Sequence, residues 1–285
     1  MRDMEKIRYI ESETIADEIG KLFLSAVTVL PEFASAELRR AAECETSPTG
    51  RRIFDTLGEN LAAAETLGVP ICQDTGMAIV FADVGRLVHV TGGTLEDAVN
   101  EGVRRAYAGG ALRLSVVGDP LYERKNTNDN TPAVVHIRFT EGDKLILTAA
   151  PKGFGSENMS ALKMMTPSAN EDDVVKFVTD TVARAGANPC PPVWVGVGIG
   201  GDFELSALLA KRALLRESPS PDERYAALEE RIKGSVNALG IGPQGFGGSV
   251  TCLGVFVEHA PTHIAGLPVA VNINCHVSRH KTAII

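Results

Sequence analysis

The order in which hydrophobic periodicities follow one another constrains this chain more than any single motif. Its first seventy residues have a helical pattern. In ETIADEIGKLFLSAVTVL, residues Ile15, Ile19, Leu22, Phe23, Ala26 and Leu30 fall on one stripe. Ile53, Leu57, Leu61, Ala64 and Leu67 form a second stripe, ended by Gly68. Strand-like sequence begins near Val69 and returns at Leu87–Val90. Thr94 and Asp97 resemble a capping box, opening a helix that runs to Gly109-Gly110. Two β-rich runs, 133–139 and 144–150, are joined by Thr-Glu-Gly-Asp and read as a hairpin. Helices are expected at 171–185, 203–215 and 221–238, and strands at 193–199, 249–257 and 268–275. Hairpins mixed with helices, without a repeating βαβ unit, predict an α+β fold. We expect mixed, largely antiparallel sheets flanked by helices, in a single large domain (1–285) with room for two lobes.

The 285 residues suffice for a substantial core, and 44% hydrophobic with 22% charged residues is ordinary for a globular protein. A formal charge of −8 argues against nucleic acid as the main partner, because phosphate neutralisation needs a basic surface. No signal-like segment opens the chain and no run of 18 apolar residues occurs, so a membrane partner is not expected. Five cysteines without local spacing suggest free or metal-bound thiols rather than a disulfide framework, and hence a cytoplasmic location.

Cys44, in SAELRRAAECE, and Cys252, in SVTCLGVFV, read as small buried core residues. The other three cysteines differ. Cys72 runs into Gln73, Asp74, Thr75 and Gly76; Cys190 precedes Pro191-Pro192; Cys275 ends a strand before His276. Strand ends that enter polar loops are where sites are built. Three converging thiolates need a cation among them. Zinc completed by His276, an iron–sulfur cluster with one iron lacking a protein thiolate, and coincidence all remain open on spacing alone. The glycine runs GVGIGG and GPQGFGG match no spaced nucleotide fingerprint; the first follows a strand and precedes a helix, which suits a metal-site loop packed tightly on a strand near Cys190, with a nucleotide loop as a further alternative. By themselves Asp-Thr-Gly and NTNDNTP read as turns, Arg113 as a surface or ion-paired arginine, and His263 as a loop histidine.

Taken together and in order, ICQDTG, LRLSVVGDPLYERKNTNDNTP, PKGFGSENMS, NPCPP, GVGIGG and NINCH closely resemble the iron–sulfur-dependent class I fumarate hydratases and the related L-tartrate dehydratases. The likeness is to their α subunit or N-terminal domain, from about residue 10 to the C-terminus. It implies a [4Fe–4S] cluster held by Cys72, Cys190 and Cys275, with an open iron that binds the substrate hydroxyl and a carboxylate oxygen. It further implies substrate-binding roles for Gln73, Asp74, Arg113, backbone at Gly153 and Gly155, and His263, with Asp74 also catalytic. Two departures stand out: Lys152-Gly-Phe-Gly155 where the family often has KGGG, and Asn128 where it often has glycine. The asparagine tolerates a left-handed turn.

The resemblance implies reversible conversion of (S)-malate to fumarate and water, with dehydration of tartrate to oxaloacetate as the alternative. A non-catalytic zinc-binding scaffold is the alternative from another class. Such a hydration needs stabilised charge beside a carboxylate, a hydroxide that can leave or arrive at neutral pH, and a base for the carbon-bound proton. An open iron meets the second need, and a bidentate arginine such as Arg113 grips a carboxylate. Fused relatives carry a further domain that this sequence lacks. The resemblance therefore implies a separate β subunit completing the site, a homodimer of α and an α2β2 assembly. The isolated chain is expected to bind a cluster and turn over substrate poorly.

Overall fold

The computed structural model describes residues 6–285. In chain order these form β1 (Arg8–Glu11), α1 (Ser12–Thr28), α2 (Glu32–Cys44), α3 (Pro48–Leu67), β2 (Met77–Gly85), β3 (Val88–Thr91), α4 (Leu95–Gly109), β4 (Val134–Thr140) and β5 (Leu145–Lys152). They continue with α5 (Phe154–Glu157), β6 (Ala161–Met165), α6 (Glu171–Ala185), β7 (Val193–Gly201), α7 (Phe203–Ala213), α8 (Glu223–Asn237), β8 (Cys252–Thr262), β9 (Leu267–Asn274) and β10 (Lys281–Ile284). Helices and mixed sheets give an α+β fold, with four antiparallel and three parallel strand pairings among the described residues. The chain divides into two compact units. Unit 1 comprises the described residues up to 31, with 63–152 and 279–285; unit 2 comprises 32–62 and 153–278.

Unit 1 is built on a four-stranded sheet of order β10-β5-β2-β4. Central β2 is buried along nearly its whole length. Helix α1 supplies Ile15, Ile19 and Phe23 to the core, and α4 supplies Val99 and Val103, against Val80, Leu145 and Leu147 of the sheet. Each such side chain contributes roughly 1.5–3 kcal/mol when fully buried. The first stripe read from the sequence is therefore the core face of α1, continued by Leu30 just past its end, with all six of its residues buried. Thr94 caps α4, its hydroxyl accepting the Asp97 amide at 3.0 Å.

Two expectations fail locally. The runs at 133–139 and 144–150 are strands but not a hairpin: β2 lies between them, parallel to β4 and antiparallel to β5. Being the most apolar strand, β2 takes the centre, and the loop after β4 straddles its end. There the Gly85 amide donates to Lys144 O at 2.9 Å and the Arg86 amide to Thr140 O at 2.8 Å. Val69 starts no strand, since 69–76 is irregular and β2 begins at Met77. The second stripe does lie on a helix, α3, that stops before Gly68 at φ +64°, although it is largely open and Leu67 is 71% exposed. Among the described residues one stretch, Ser12–Cys44, is long and apolar enough to cross a membrane; it comprises α1 and α2, and the α1 part packs into the core of unit 1.

Unit 2 holds a sheet of order β6-β9-β7-β8. Strand period decides its packing. Val193, Val195 and Val197 of β7 face a core shared with Val178 and Val182 of α6 and Ile232 and Val236 of α8. The alternate positions Gly196 and Gly198 meet α7. A Cβ at Gly198 would lie 2.0 Å from Ser206 O, and one at Gly196 the same distance from Ala210 O. The glycines of GVGIGG thus permit close helix–strand approach. Cys252 is fully buried, as expected, and burial pushes its thiol up to about 12. Cys44 is not a core residue: it ends α2 and is exposed.

Candidate functional site

The residues singled out from the sequence fall into two groups, one in each unit. In unit 1, Cys72 follows buried Ile71 and opens a loop leading into β2. The cysteine is half-buried; its sulfur accepts the Asp74 amide at 3.4 Å, and its thiol lies 3.4 Å from Gln73 Oε1. The Asp74 carboxylate accepts the Gly76 amide at 3.0 Å, which tightens the turn. Gly76 has φ +81° and sits against the Lys152 backbone, where a Cβ would approach to 2.8 Å; no other residue fits there.

Several side chains from distant segments clamp this loop. Tyr107 on α4 donates to Thr75 O at 3.0 Å and Gly76 O at 3.1 Å. Burial pushes its hydroxyl well above the usual range, so the phenol stays protonated and remains a donor. Asn130, fully buried, donates to Gly76 O at 3.2 Å and accepts the Ser115 amide at 2.8 Å. Thr75 Oγ1 accepts the Arg113 amide at 2.9 Å and donates to Arg113 O at 3.3 Å. The backbone of Arg113 is therefore fixed beside the loop while its side chain is exposed. Arg279 donates from Nη2 to Asp74 O and from Nε to Pro151 O at 3.4 Å. Unit 1 thus brings Cys72, Gln73, Asp74 and Arg113 together. Asn128 takes the left-handed conformation, φ +66°, so the turn survives its departure from glycine.

In unit 2, Cys190 is exposed and lies in the loop entering β7, with φ +54°. Its carbonyl lies 3.1 Å from His276 Nδ1 and accepts from it in the tautomer protonated there; in the other tautomer Nδ1 accepts from Gln244 Nε2 at 3.3 Å. Gln244 holds the neighbouring residue, donating from Nε2 to Pro191 O at 2.8 Å and from its amide to the same oxygen at 2.7 Å. Cys275, half-buried, follows Asn274, whose register partner is Trp194. The two thiols accordingly stand at the same end of the sheet, on loops hydrogen-bonded to each other. Gly153 caps the short helix α5, and Gly155 sits close to Asn188 O. Glu157 pins α5 in place, accepting Lys211 Nζ at 2.6 Å and Asn272 Nδ2 at 2.8 Å.

His263 belongs elsewhere. It follows Thr262, the partner of Gly201 at the far end of β7, and its Nδ1 accepts the Ala265 amide at 3.1 Å. The nine residues of β7 separate that end from the Cys190 loop by about 26 Å. Unit 2 does not bring its own His263 to its own Cys190 and Cys275.

Among the described residues no group of three or more His, Cys, Asp or Glu side chains is gathered at metal-ligand spacing. In kind, the donors suit an iron–sulfur centre: three thiols outside the core, one already accepting an amide N–H as a bound thiolate does. Sequence reasoning missed Tyr107, Asn130, Gln244 and Arg279. Only Asn130, inside the NTNDNTP motif, and Gln244, inside GPQGFGG, carried a local signal.

The family match and the names of similar proteins place the chain among the hydro-lyases. Residues 16–284 match the family described as fumarate hydratase (Fumerase), and the chain belongs to that family. Among its relatives, a putative L(+)-tartrate dehydratase subunit alpha of Methanocaldococcus jannaschii is 40% identical over 272 residues, covering 93% of this chain and 95% of the relative. L(+)-tartrate dehydratase subunits alpha of Escherichia coli O157:H7 and K12 are 34% and 33% identical, each over 90% of this chain and 86% of the relative.

Proposed function

We propose that the chain is the α subunit of an iron–sulfur hydro-lyase that interconverts (S)-malate and fumarate. On this reading Cys72, Cys190 and Cys275 hold a [4Fe–4S] cluster, and a β subunit completes the active site. One observation carries the reading: the strand-end loops bearing Cys190 and Cys275 are tied together through His276, as ligands of a common group require. The names of the relatives, all subunits alpha, support a partner chain. When bound, such a cluster supplies a Lewis-acidic iron that eases departure or arrival of hydroxide.

The remaining chemistry falls to side chains. Arg113, exposed on a fixed backbone, takes a substrate carboxylate in paired charge-assisted bonds. Gln73 donates to a carboxylate oxygen. Asp74, its carboxylate oriented by the Gly76 amide, takes up a proton or orients a hydroxyl that does so. Backbone at Gly153 and Gly155 lines the substrate, and the exposed ring of Phe154 between them narrows that approach. Given its place on the sheet, His263 serves a site only from a second copy of the chain, in keeping with an α homodimer within α2β2. Cytoplasmic location, and the absence of nucleic-acid and membrane partners, belong to the same proposal.

L-tartrate is the second reading, favoured by the names of the relatives. Anaerobic co-purification with the product of a neighbouring gene tests both. A brown complex with acid-labile sulfide, more active on malate than on tartrate, is the expected result. The reverse preference selects the second reading, and a colourless zinc-containing protein overturns both. The isolated chain should load iron but turn over slowly; full activity without a partner removes the β subunit from the proposal.

A further inference from the structure

We propose that Arg279 is a positioning residue of the Cys72–Asp74 loop, and that its remaining amino group completes its hydrogen bonding on an anion bound there. The inference rests on the function proposed above. Arg279 is 4% exposed, yet it forms no ion pair with any described carboxylate. Its Nη2 and Nε are engaged by Asp74 O and Pro151 O, while Nη1 is buried without a hydrogen-bond partner. Asp74 in turn donates its amide to Cys72 Sγ, so one residue separates the guanidinium from the sulfur. A buried cation with an idle donor is costly to a fold, and an anionic acceptor offsets both the missing bond and the unpaired charge. The proposed reaction brings two such anions to this loop: the thiolate-held sulfur group and a dicarboxylate. Both accept N–H bonds, and both add negative charge to a chain already at −8.

The experiment uses the co-expressed α–β enzyme with Arg279→Lys and Arg279→Gln, reconstituted anaerobically. Iron and acid-labile sulfide per folded chain report on the sulfur group. The inhibition constant of succinate, with KM and kcat for malate, reports on the dicarboxylate. Arg279→Gln is expected to lose about tenfold in one of these affinities, the scale of one charge-assisted bond, and Arg279→Lys to recover part of it. The readout that falls identifies which anion the arginine serves. Should the glutamine variant fold poorly, the lysine variant decides, since it keeps the charge but loses the forked geometry: an intermediate loss is expected. Wild-type iron content and wild-type succinate affinity in a folded variant overturn the inference, even if the metal-free variant melts lower. A wild-type enzyme that takes up no iron and hydrates nothing instead tells against the proposed function, and this inference falls with it.

Discussion

Asn130 offers the sharpest test of how the Cys72 loop is held. It is fully buried, adopts φ +61°, accepts the Ser115 amide at 2.8 Å and donates to Gly76 O at 3.2 Å. Asn130→Ala removes both bonds. Gly76 O keeps Tyr107 as a donor at 3.1 Å, so the lasting loss falls on the Ser115 amide, about 1–3 kcal/mol. Holding alanine in the left-handed region adds about 1–2 kcal/mol. A total near 3 kcal/mol lowers the melting temperature by about 6–12 °C in a domain of this size. Asn130→Gly loses the same bonds without the left-handed penalty, so it should melt above the alanine variant even after the entropy that glycine adds to the unfolded chain. A loosened Gln73–Asp74 backbone also lowers kcat/KM of the α–β enzyme by about 10–100-fold, because small misplacements of positioning groups cost that much. Thermal melts and steady-state kinetics of both variants check this. Alanine melting within about 2 °C of wild type, or a lowered melt with unchanged kcat/KM, refutes the reasoning.

Three further outcomes follow from the packing and electrostatics. Gly198→Ala places a methyl about 2.0 Å from Ser206 O, so the variant should be recovered insoluble or melt far lower; an unchanged melt contradicts the β7–α7 packing. Burial pushes the Glu45 carboxyl up, but the amides of Ser249, Ser47 and Val250 outweigh it and hold the group below the usual range. Its stabilisation is then complete above the unfolded carboxyl value of about 4.3 and lost as pH falls through the folded one, so the melting gap between wild type and Glu45→Gln should shrink from pH 7 to pH 3. In the metal-free chain, alkylation at pH 8 should spare buried Cys252 and modify Cys44, Cys72, Cys190 and Cys275; iron loading should protect the last three alone, as read by mass spectrometry.

What could be read in advance followed the range of the forces involved. Helix α6 was legible to the residue because its signals are local: Asn170 and Asp173 cap each other's amides, and Gly186 follows the last turn. Strands β4 and β5 were legible as strands but not in their pairing, because the strand that separates them comes some fifty residues earlier in the chain. The site divides in the same way. Motifs mark Cys72, Gln73 and Asp74, but the side chains that hold them reach back from 31, 54 and 205 residues away, in Tyr107, Asn130 and Arg279. A tyrosine in a helix stripe and an arginine near the C-terminus carry no sign of such work.

The two glycine runs show why a motif needs its occupant before it acquires a meaning. GVGIGG reads as a loop between a strand and a helix, as a phosphate loop is, yet it is the latter part of β7 itself, and the faces of Gly196 and Gly198 are filled by the backbone of α7. GPQGFGG leads into two amides, of Ser249 and Val250, that do gather around an anion, but the anion is the protein's own. Glu45 accepts the Ser249 and Val250 amides at 2.9 and 3.0 Å, and Gly248 lies so close that a Cβ would sit 2.7 Å from the carboxylate. A fully buried carboxylate with its oxygens taken by amides and the Ser249 hydroxyl satisfies that loop from within. Glycine in the sequence thus announced close approach correctly in both cases; what approached was the chain itself, and only tertiary structure could say so.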